Sequence, residues 1–380
     1  MKRRLGSIDL FRGLCITWMI VGHTIAWWTT SGFFNEKYFI NLFADAMGAS
    51  GFLFISGMSL TLSYRKKRER AQNSHEYNLR HLRLEYFFRA LYILIIGFIY
   101  NFIMAIQFWD IFTIWQWFIL QTLPVSMILI WPLLKCKIYI KIVIATIFLI
   151  IDAMLFPLLS PFAYDFSNPL GIIHYFLYYG YMLSPILGFF PFFISGSIIG
   201  DILYDNYFRF KEQIEVKRGK MVFKFSLPTI LIGIGLIFIG YFIGDGIFIK
   251  NQLPWLLYAA GTQLIVFSTL FTIEKLFSIT FNKKYRFFYY FSYYSFSIFL
   301  LHYPLYFVLF NSLTLPQFFL IIPIVVILIG LGLKGIYHKL GPLFSLKAQI
   351  SRLATKTAFL IEGKLNDKQE SKKPVKTIKV

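Results

Sequence analysis

Residues 7–28 read SIDLFRGLCITWMIVGHTIAWW, an apolar run that is long enough to cross a lipid bilayer as one helix. About 20 such residues span the hydrocarbon core of a membrane. A basic segment at residues 2–4 precedes the run, as in a secretory signal peptide, but Asp9 and Arg12 interrupt it and no small-residue cleavage site follows. We therefore expect a first transmembrane helix that is retained in the protein.

The composition favours a membrane protein over a soluble one. Hydrophobic residues make up 57% of the 380 residues and charged residues 15%, against roughly 45–50% and about 25% in soluble domains. The net charge of +20 is confined to short segments between apolar runs, which is typical of topology signals and not of a nucleic-acid-binding surface. Cys15 and Cys136 have neither a disulfide nor a zinc-site spacing. We expect no nucleic-acid partner and no metal site.

The rest of the chain repeats the pattern of the first run. Ten apolar stretches have the length of a membrane-spanning helix, near residues 9–28, 39–63, 86–107, 111–133, 138–160, 181–203, 224–245, 253–276, 286–310 and 317–337. The predicted fold class is therefore all-α, a polytopic membrane protein of about ten transmembrane helices.

The charges of the connecting segments predict the orientation. With the N-terminus inside, the inward loops are strongly basic, and they are residues 64–85, 134–137, 204–223 and 277–285. The outward loops are residues 29–38, 108–110, 161–180, 246–252 and 311–316, and their only lysines or arginines are Lys37 and Lys250. Cytoplasmic loops carry an excess of Lys and Arg, so we expect a multi-pass protein of the cell membrane with both termini in the cytoplasm.

The chain divides into two parts of different character. Residues 1–338 hold all ten apolar runs and form the predicted transmembrane domain. Residues 339–380 are polar and basic, and end in KLNDKQESKKPVKTIKV. A segment with so little apolar surface cannot fold alone. We therefore expect a disordered cytoplasmic tail.

Ionisable residues inside apolar runs are costly in lipid, so each is a candidate functional group. The candidates that we take from these runs are Asp9, Arg12, His23, Asp45, Arg89 and His302. Asp201 lies at a helix end, where solvation would suffice. Arg12 and His23 are eleven residues apart, about three helical turns, so both point from one face and are separated by roughly 16 Å along the axis.

The predicted orientation sorts these residues into two layers. His23, Asp45 and His302 lie towards the outside, and Arg12 and Arg89 lie towards the cytoplasm. An arginine can clamp a phosphate or carboxylate, whereas a histidine can act as a general base or as a transient nucleophile. Arg12 snorkelling to headgroups and His23 in an interhelical hydrogen bond are equally open interpretations.

Six segments resemble, in order, the transmembrane acyltransferase superfamily. The chain is most similar to the heparan-α-glucosaminide N-acetyltransferase-like catalytic domain, and more distantly to the acyltransferase-3 family. The segments are SIDLFRGLCITWMIVGH (7–23), AD with GFLFISGMSL (44–60), FFRALYILIIG (87–97), FILQTLPV (118–125), GFFPFFISGSIIGDIL (188–203) and SFSIFLLHYPLYF (295–307). Gln121 falls in a segment that looks like the family's LQR motif, with Thr122 in place of the arginine.

The resemblance implies an activity and roles for the site residues. Acetyl-CoA or another acyl-CoA would bind from the cytoplasm at Arg12, Arg89 and Gln121. The acyl group would pass to a sugar or glycan on the far side, with His23, Asp45 and His302 as the catalytic group. The lysosomal branch places its histidine in the first outward loop, but residues 24–44 contain none. An acyl-histidine intermediate and direct transfer with His23 as base therefore both stay open.

Two other classes of function compete with the enzyme. The same polar layers could line the path of a solute transporter, although the chain shows no inverted repeat of the kind many transporters have. A binding or sensor protein would need a readout domain, which the sequence lacks. For the enzyme, the expected partners are acyl-CoA, a sugar or glycan acceptor, membrane lipid and a second copy of the chain.

Overall fold

The computed structural model describes residues 5–30, 42, 44–73, 79–179, 183–208, 218–244, 246, 249–276 and 286–370. Regular structure in these ranges is helical, apart from an isolated bridge between Thr29 and Leu313. The helices are α1 (Gly6–Trp28), α2 (Ala49–Asn73), α3 (Leu79–Phe108), α4 (Ile119–Leu133), α5 (Ile138–Leu159), α6 (Pro169–Tyr178), α7 (Ile186–Leu203), α8 (Arg218–Ile243), α9 (Leu253–Leu276), α10 (Arg286–Tyr293), α11 (Ser295–Leu301), α12 (Leu315–Lys339) and α13 (Leu346–Glu370). The all-α prediction is confirmed.

Nine helices of the described chain are long and apolar enough to cross a membrane. The four helices outside this set are α6, α10, α11 and α13. The surfaces of α5 and α8 expose large apolar side chains such as Met154 and Phe238, as lipid-facing helices do. The prediction of a polytopic membrane protein is therefore confirmed.

The run expected as one span at residues 286–310 is not a single helix. It forms α10 and α11, which are interrupted at Tyr294, and then a 3₁₀ turn at Tyr303–Phe307. Pro304 lies in the first turn of that segment, and a proline cannot donate the backbone hydrogen bond of a continuing helix. The break places His302 at a helix end.

The centre of the bundle is the close contact of α2 with α7. A Cβ at Gly57 would overlap the carbonyl oxygen of Phe193, and a Cβ at Gly196 would overlap that of Phe54. Small residues let transmembrane backbones approach closely. This contact holds α2, which lines both cavities described below, at the middle of the molecule.

An ion-pair network ties α5 to this centre. Lys141 is 0% exposed and lies 2.5 Å from Asp201, whose side chain is 1% exposed. Arg65 donates from Nε to the second oxygen of Asp201 at 2.7 Å. Asp201, expected to be solvated at a helix end, instead joins α2, α5 and α7 as the shared anion.

The C-terminal tail, which we expected to be disordered, is helical over much of its length. Leu346–Glu370 is a helix, α13, which packs along α3. Ile350, Ala354 and Ala358 recur every four residues and are buried, so one face of this otherwise polar helix fits against the bundle. The disorder expected for residues 339–380 therefore does not hold for α13, and residues 371–380 lie outside the described residues.

Candidate active site

One cavity, of about 490 Å³, lies where α1 and α3 begin and α2 ends. We call it the basic cavity. Its charged lining residues are Asp9, Arg12, Lys66, Arg89 and Lys347. The hydroxyl side chains of Ser56, Ser59, Ser63 and Ser295 also line it. Among the described residues, four cations and one carboxylate line this space, which gives the cavity an excess of positive charge.

The two predicted arginines are both in the basic cavity, but their environments differ. Arg12 is 6% exposed, lies 3.8 Å from Asp9 one turn earlier, and donates a short hydrogen bond from Nη2 to Ser59. Arg89 is half-buried, and no hydrogen bond or ion pair engages it among the described residues. Arg12 is thus held in place, whereas the guanidinium of Arg89 is available to a ligand.

A second cavity, of about 590 Å³, lies farther along α1. We call it the aromatic cavity. Its titratable lining residues include His23, Asp45, Lys250 and His302. Its rings include Trp18, Trp27, Tyr100, Phe108, Phe299 and Tyr303. The layer predicted from His23, Asp45 and His302 is therefore assembled around one space.

The two histidines of the aromatic cavity are neighbours. The ring centroids of His23 and His302 are 5.0 Å apart. Trp27 stacks on both rings, at 5.1 Å from His23 and 5.8 Å from His302. Nδ1 of His302 lies 2.6 Å from the carbonyl oxygen of Phe299. A carbonyl only accepts, so Nδ1 carries the proton and Nε2 is the basic nitrogen of the neutral ring.

Asp45 reaches the same cavity and pairs with a residue outside the predicted site. Its carboxylate lies 3.4 Å from Nζ of Lys250, the residue three positions before α9. No hydrogen bond joins Asp45 to His23 among the described residues. The pair of Asp45 and Lys250 gives the cavity a carboxylate and an ammonium that can both contact a polar ligand.

Gln121 lies apart from both cavities. It is 4% exposed and faces α3, where a Cβ at Gly97 would lie 3.1 Å from its Nε2. Neither atom of its amide has a hydrogen-bond partner in the described part of the chain. The structure therefore does not bring Gln121 together with Arg12 and Arg89.

Many lining residues, among them three lysines and one phenylalanine, were not among the site residues predicted from the sequence. Lys66 and Lys347 add charge to the basic cavity, and Lys250 adds it to the aromatic cavity. Of the residues that the structure describes, Phe52 alone lines both spaces. The four-residue spacing of Ile350, Ala354 and Ala358 is the signal that could have revealed α13, and Lys347 with it.

A comparison with protein families identifies the family to which the chain is similar. Residues 4–243 match the family described as heparan-alpha-glucosaminide N-acetyltransferase, catalytic. Comparison with curated proteins and with solved structures yields no match. The family match includes Arg12, His23, Asp45, Arg89 and Gln121, so five of the six predicted site residues lie inside it. With its membrane-spanning helices, the chain therefore belongs to the heparan-α-glucosaminide N-acetyltransferase catalytic family of membrane acetyltransferases.

Proposed function

We propose that the protein moves an acetyl group from cytoplasmic acetyl-CoA to a hydroxyl or amine of a sugar or glycan on the opposite side of the membrane. The observation that carries the proposal is the pair of cavities along α1, which have Phe52 in common. One contains Arg12 and the other His23. A donor site and an acceptor site at different depths are what transfer across a bilayer requires.

The charge pattern supports the direction of transfer. Lys66 lines the basic cavity and belongs to the run of basic residues at 65–68, towards the end of α2. Lysine and arginine accumulate on the cytoplasmic side of membrane proteins, so this cavity opens towards the cytoplasm and the aromatic cavity opens away from it. Both termini are then cytoplasmic in a cell-membrane protein.

The basic cavity suits the donor because CoA carries several phosphates. Guanidinium groups bind phosphate through paired hydrogen bonds. Arg12 is preorganised by Asp9 and Ser59, while Arg89 contributes a charge that no ion pair engages within the described residues. The apolar lining, which includes Ile93 and Leu123, fits the uncharged pantetheine arm as it extends towards Phe52.

The aromatic cavity suits a sugar acceptor. Indole and phenol rings such as those of Trp27 and Tyr303 pack against sugar faces, and Asp45 with Lys250 can bind hydroxyl or amino groups. In direct transfer, the acceptor oxygen or nitrogen bonds to the thioester carbonyl carbon as the carbon–sulfur bond breaks. His23 accepts the acceptor's proton, and the thiolate of CoA leaves.

An acyl-histidine route uses the same groups in two steps. A ring nitrogen of His23 bonds to the carbonyl carbon, CoA leaves as the thiolate, and the acceptor then displaces the histidine. His302, 5.0 Å away, can take the acceptor's proton in the second step. The two routes differ in whether CoA is released before the acceptor binds.

The first test is donor binding by the purified protein. We expect acetyl-CoA to raise the thermal unfolding temperature, and Arg89→Gln to weaken its binding by about tenfold through the loss of a charged hydrogen bond. Arg83→Gln is the matched control, because this exposed arginine of α3 lies outside the basic cavity. Equal affinity in all three proteins would contradict the proposed donor site.

The second test is transfer across a membrane. Proteoliposomes with the basic side outward receive acetyl-labelled acetyl-CoA outside and a methyl α-glucosaminide or α-glucoside inside. We expect label on the enclosed sugar. Exchange of an enclosed solute without consumption of acetyl-CoA would instead support the transporter.

A further inference from the structure

The C-terminal helix α13 forms part of the wall of the basic cavity. Lys347 and Ile350, from its first two turns, line that space together with Arg12 and Arg89. All of α13 lies beyond residues 4–243, the part that matches the family. The cavity is therefore completed by a segment that the family comparison does not cover.

Hydrogen bonds fix the start of α13 against α11. Ser297 donates from Oγ to the carbonyl of Phe344 at 2.8 Å and accepts from the backbone N–H of Leu346 at 3.1 Å. Tyr294 donates to the carbonyl of Gly341 at 2.8 Å. These bonds place the backbone of Lys347 at a defined position beside the cavity.

The rest of α13 is anchored to α3. The hydroxyls of Tyr92 and Thr357 are 2.8 Å apart, and Nδ1 of His81 lies 3.0 Å from a carboxylate oxygen of Glu362. Because Arg89 is on α3 between His81 and Tyr92, the same contacts that hold α13 also set the spacing between Lys347 and Arg89.

The charges of the cavity come from four separate helices. Arg12 is on α1, Lys66 on α2, Arg89 on α3 and Lys347 on α13, while Asp9 is the one carboxylate of the lining among the described residues and pairs with Arg12. Cations that converge from different helices repel one another, and an anion bound between them lowers that Coulomb energy. An excess of positive charge around one space therefore favours a bound polyanion, and Lys347 contributes to that excess.

We propose that Lys347 is a donor-binding residue that contacts a phosphate of acyl-CoA, so that α13 is part of the donor site. This inference rests on the proposed function. It adds a residue and a structural element that neither the motifs nor the family match assigns.

The test compares donors that differ in phosphate. Lys347→Gln should raise KM for acetyl-CoA by about tenfold, as expected for the loss of one charged contact, with kcat within twofold. KM for acetyl-pantetheine, which has no phosphate, should be the same in both proteins. A third donor, the 3′-dephospho form of acetyl-CoA, shows which phosphate Lys347 contacts. If Lys347 contacts the 3′-phosphate, Lys347→Gln leaves KM for this donor unchanged. If it contacts another phosphate, Lys347→Gln still raises KM for this donor.

Two further variants separate charge from packing. Lys356→Gln removes the same charge from the exposed side of α13 and should leave KM unchanged. Lys347→Met keeps the apolar stem of the side chain and should behave like Lys347→Gln if the charge matters, and Lys347→Arg should retain most of the affinity.

The results separate the role of Lys347 from the proposed transferase activity. An unchanged KM for acetyl-CoA in both Lys347→Gln and Lys347→Met, or an equal rise with acetyl-pantetheine, would overturn the role of Lys347 while leaving the transferase intact. Failure of the unmodified protein to bind or use acetyl-CoA would instead overturn the proposed function. If Lys347→Gln does not fold, Lys347→Met measured by CoA binding gives the same decision.

Discussion

The basic cavity and the aromatic cavity are lined in part by the same two helices, yet their chemistry is opposite. Near its start α1 contributes Arg12, and eleven residues later it contributes His23. Along α2 and the residues just before it the order runs the other way, from Asp45, four residues before the helix, to Lys66. The difference shows that the arginines and the histidines are separated here along shared helices, and not by assignment to separate domains.

The largest effect on the transfer rate should come from a substitution in the aromatic cavity. His23→Ala removes the group proposed to take the acceptor's proton or to carry the acetyl group, so kcat should fall by about 10²–10⁴-fold. Donor binding at the basic cavity should stay within twofold. Transfer rates and CoA affinity measured on the same preparation check both statements.

His338→Ala is the matched control for that change. His338 is an exposed histidine in the last turn of α12 and lies outside both cavities. We expect wild-type kinetics from it. Wild-type turnover in His23→Ala would break the proposed division between the two cavities, because the reactive group would then have to lie elsewhere.

A substitution of Phe52, which lies at the boundary between the two cavities, should have an intermediate effect on the reaction. Phe52→Ala removes the side chain that the two cavities share, which lets water reach the thioester. Hydrolysis of acetyl-CoA without acceptor should rise roughly tenfold relative to transfer, because a closed site protects its reactants from water. Release of free CoA, followed with a thiol reagent, measures this ratio.

Phe52→Leu retains an apolar group at the same position and should keep hydrolysis low. If hydrolysis stays at the wild-type level in Phe52→Ala as well, the two cavities are separated by something other than this ring. Such a result would show that other residues separate the two cavities, and both cavities would remain part of the proposal.

The smallest effect should come from Gln121, which lies outside both spaces. Gln121→Leu replaces a buried amide that has no hydrogen-bond partner among the described residues, so the free energy of unfolding should rise by about 1 kcal/mol. KM for acetyl-CoA should not change. Thermal unfolding in detergent and donor titration check this, and an increase in KM would return Gln121 to the donor site.

The sequence predicted the helices well because apolar length and loop charge are local signals. Nine long spans lie within the described residues at nearly the expected positions. The run at 286–310 failed as a single helix because Pro304 cannot donate a helical backbone hydrogen bond and because a second break occurs at Tyr294. The hydroxyl of Tyr294 donates to the carbonyl of Gly341, in a segment that composition alone assigned to a disordered tail.

The site was predictable where helical geometry fixes it. The eleven-residue spacing of Arg12 and His23 places them in two cavities that share one helix. The partner of Asp45 could not be predicted, because Lys250 is 205 residues away in sequence. Gln121 was assigned by motif likeness, which does not say which face of α4 meets a cavity.

The buried pair of Lys141 and Asp201 has a consequence for how the protein is made. Lys141 is the fourth residue of α5, and its counter-ion arrives on α7, the next spanning helix after it. Until α7 has entered the bilayer, α5 carries a cation that must stay at the headgroups. Loss of either partner afterwards would leave a buried charge, at a cost of about 3–5 kcal/mol. Stable insertion of this lipid-facing helix therefore depends on a later one, which makes assembly of the bundle cooperative.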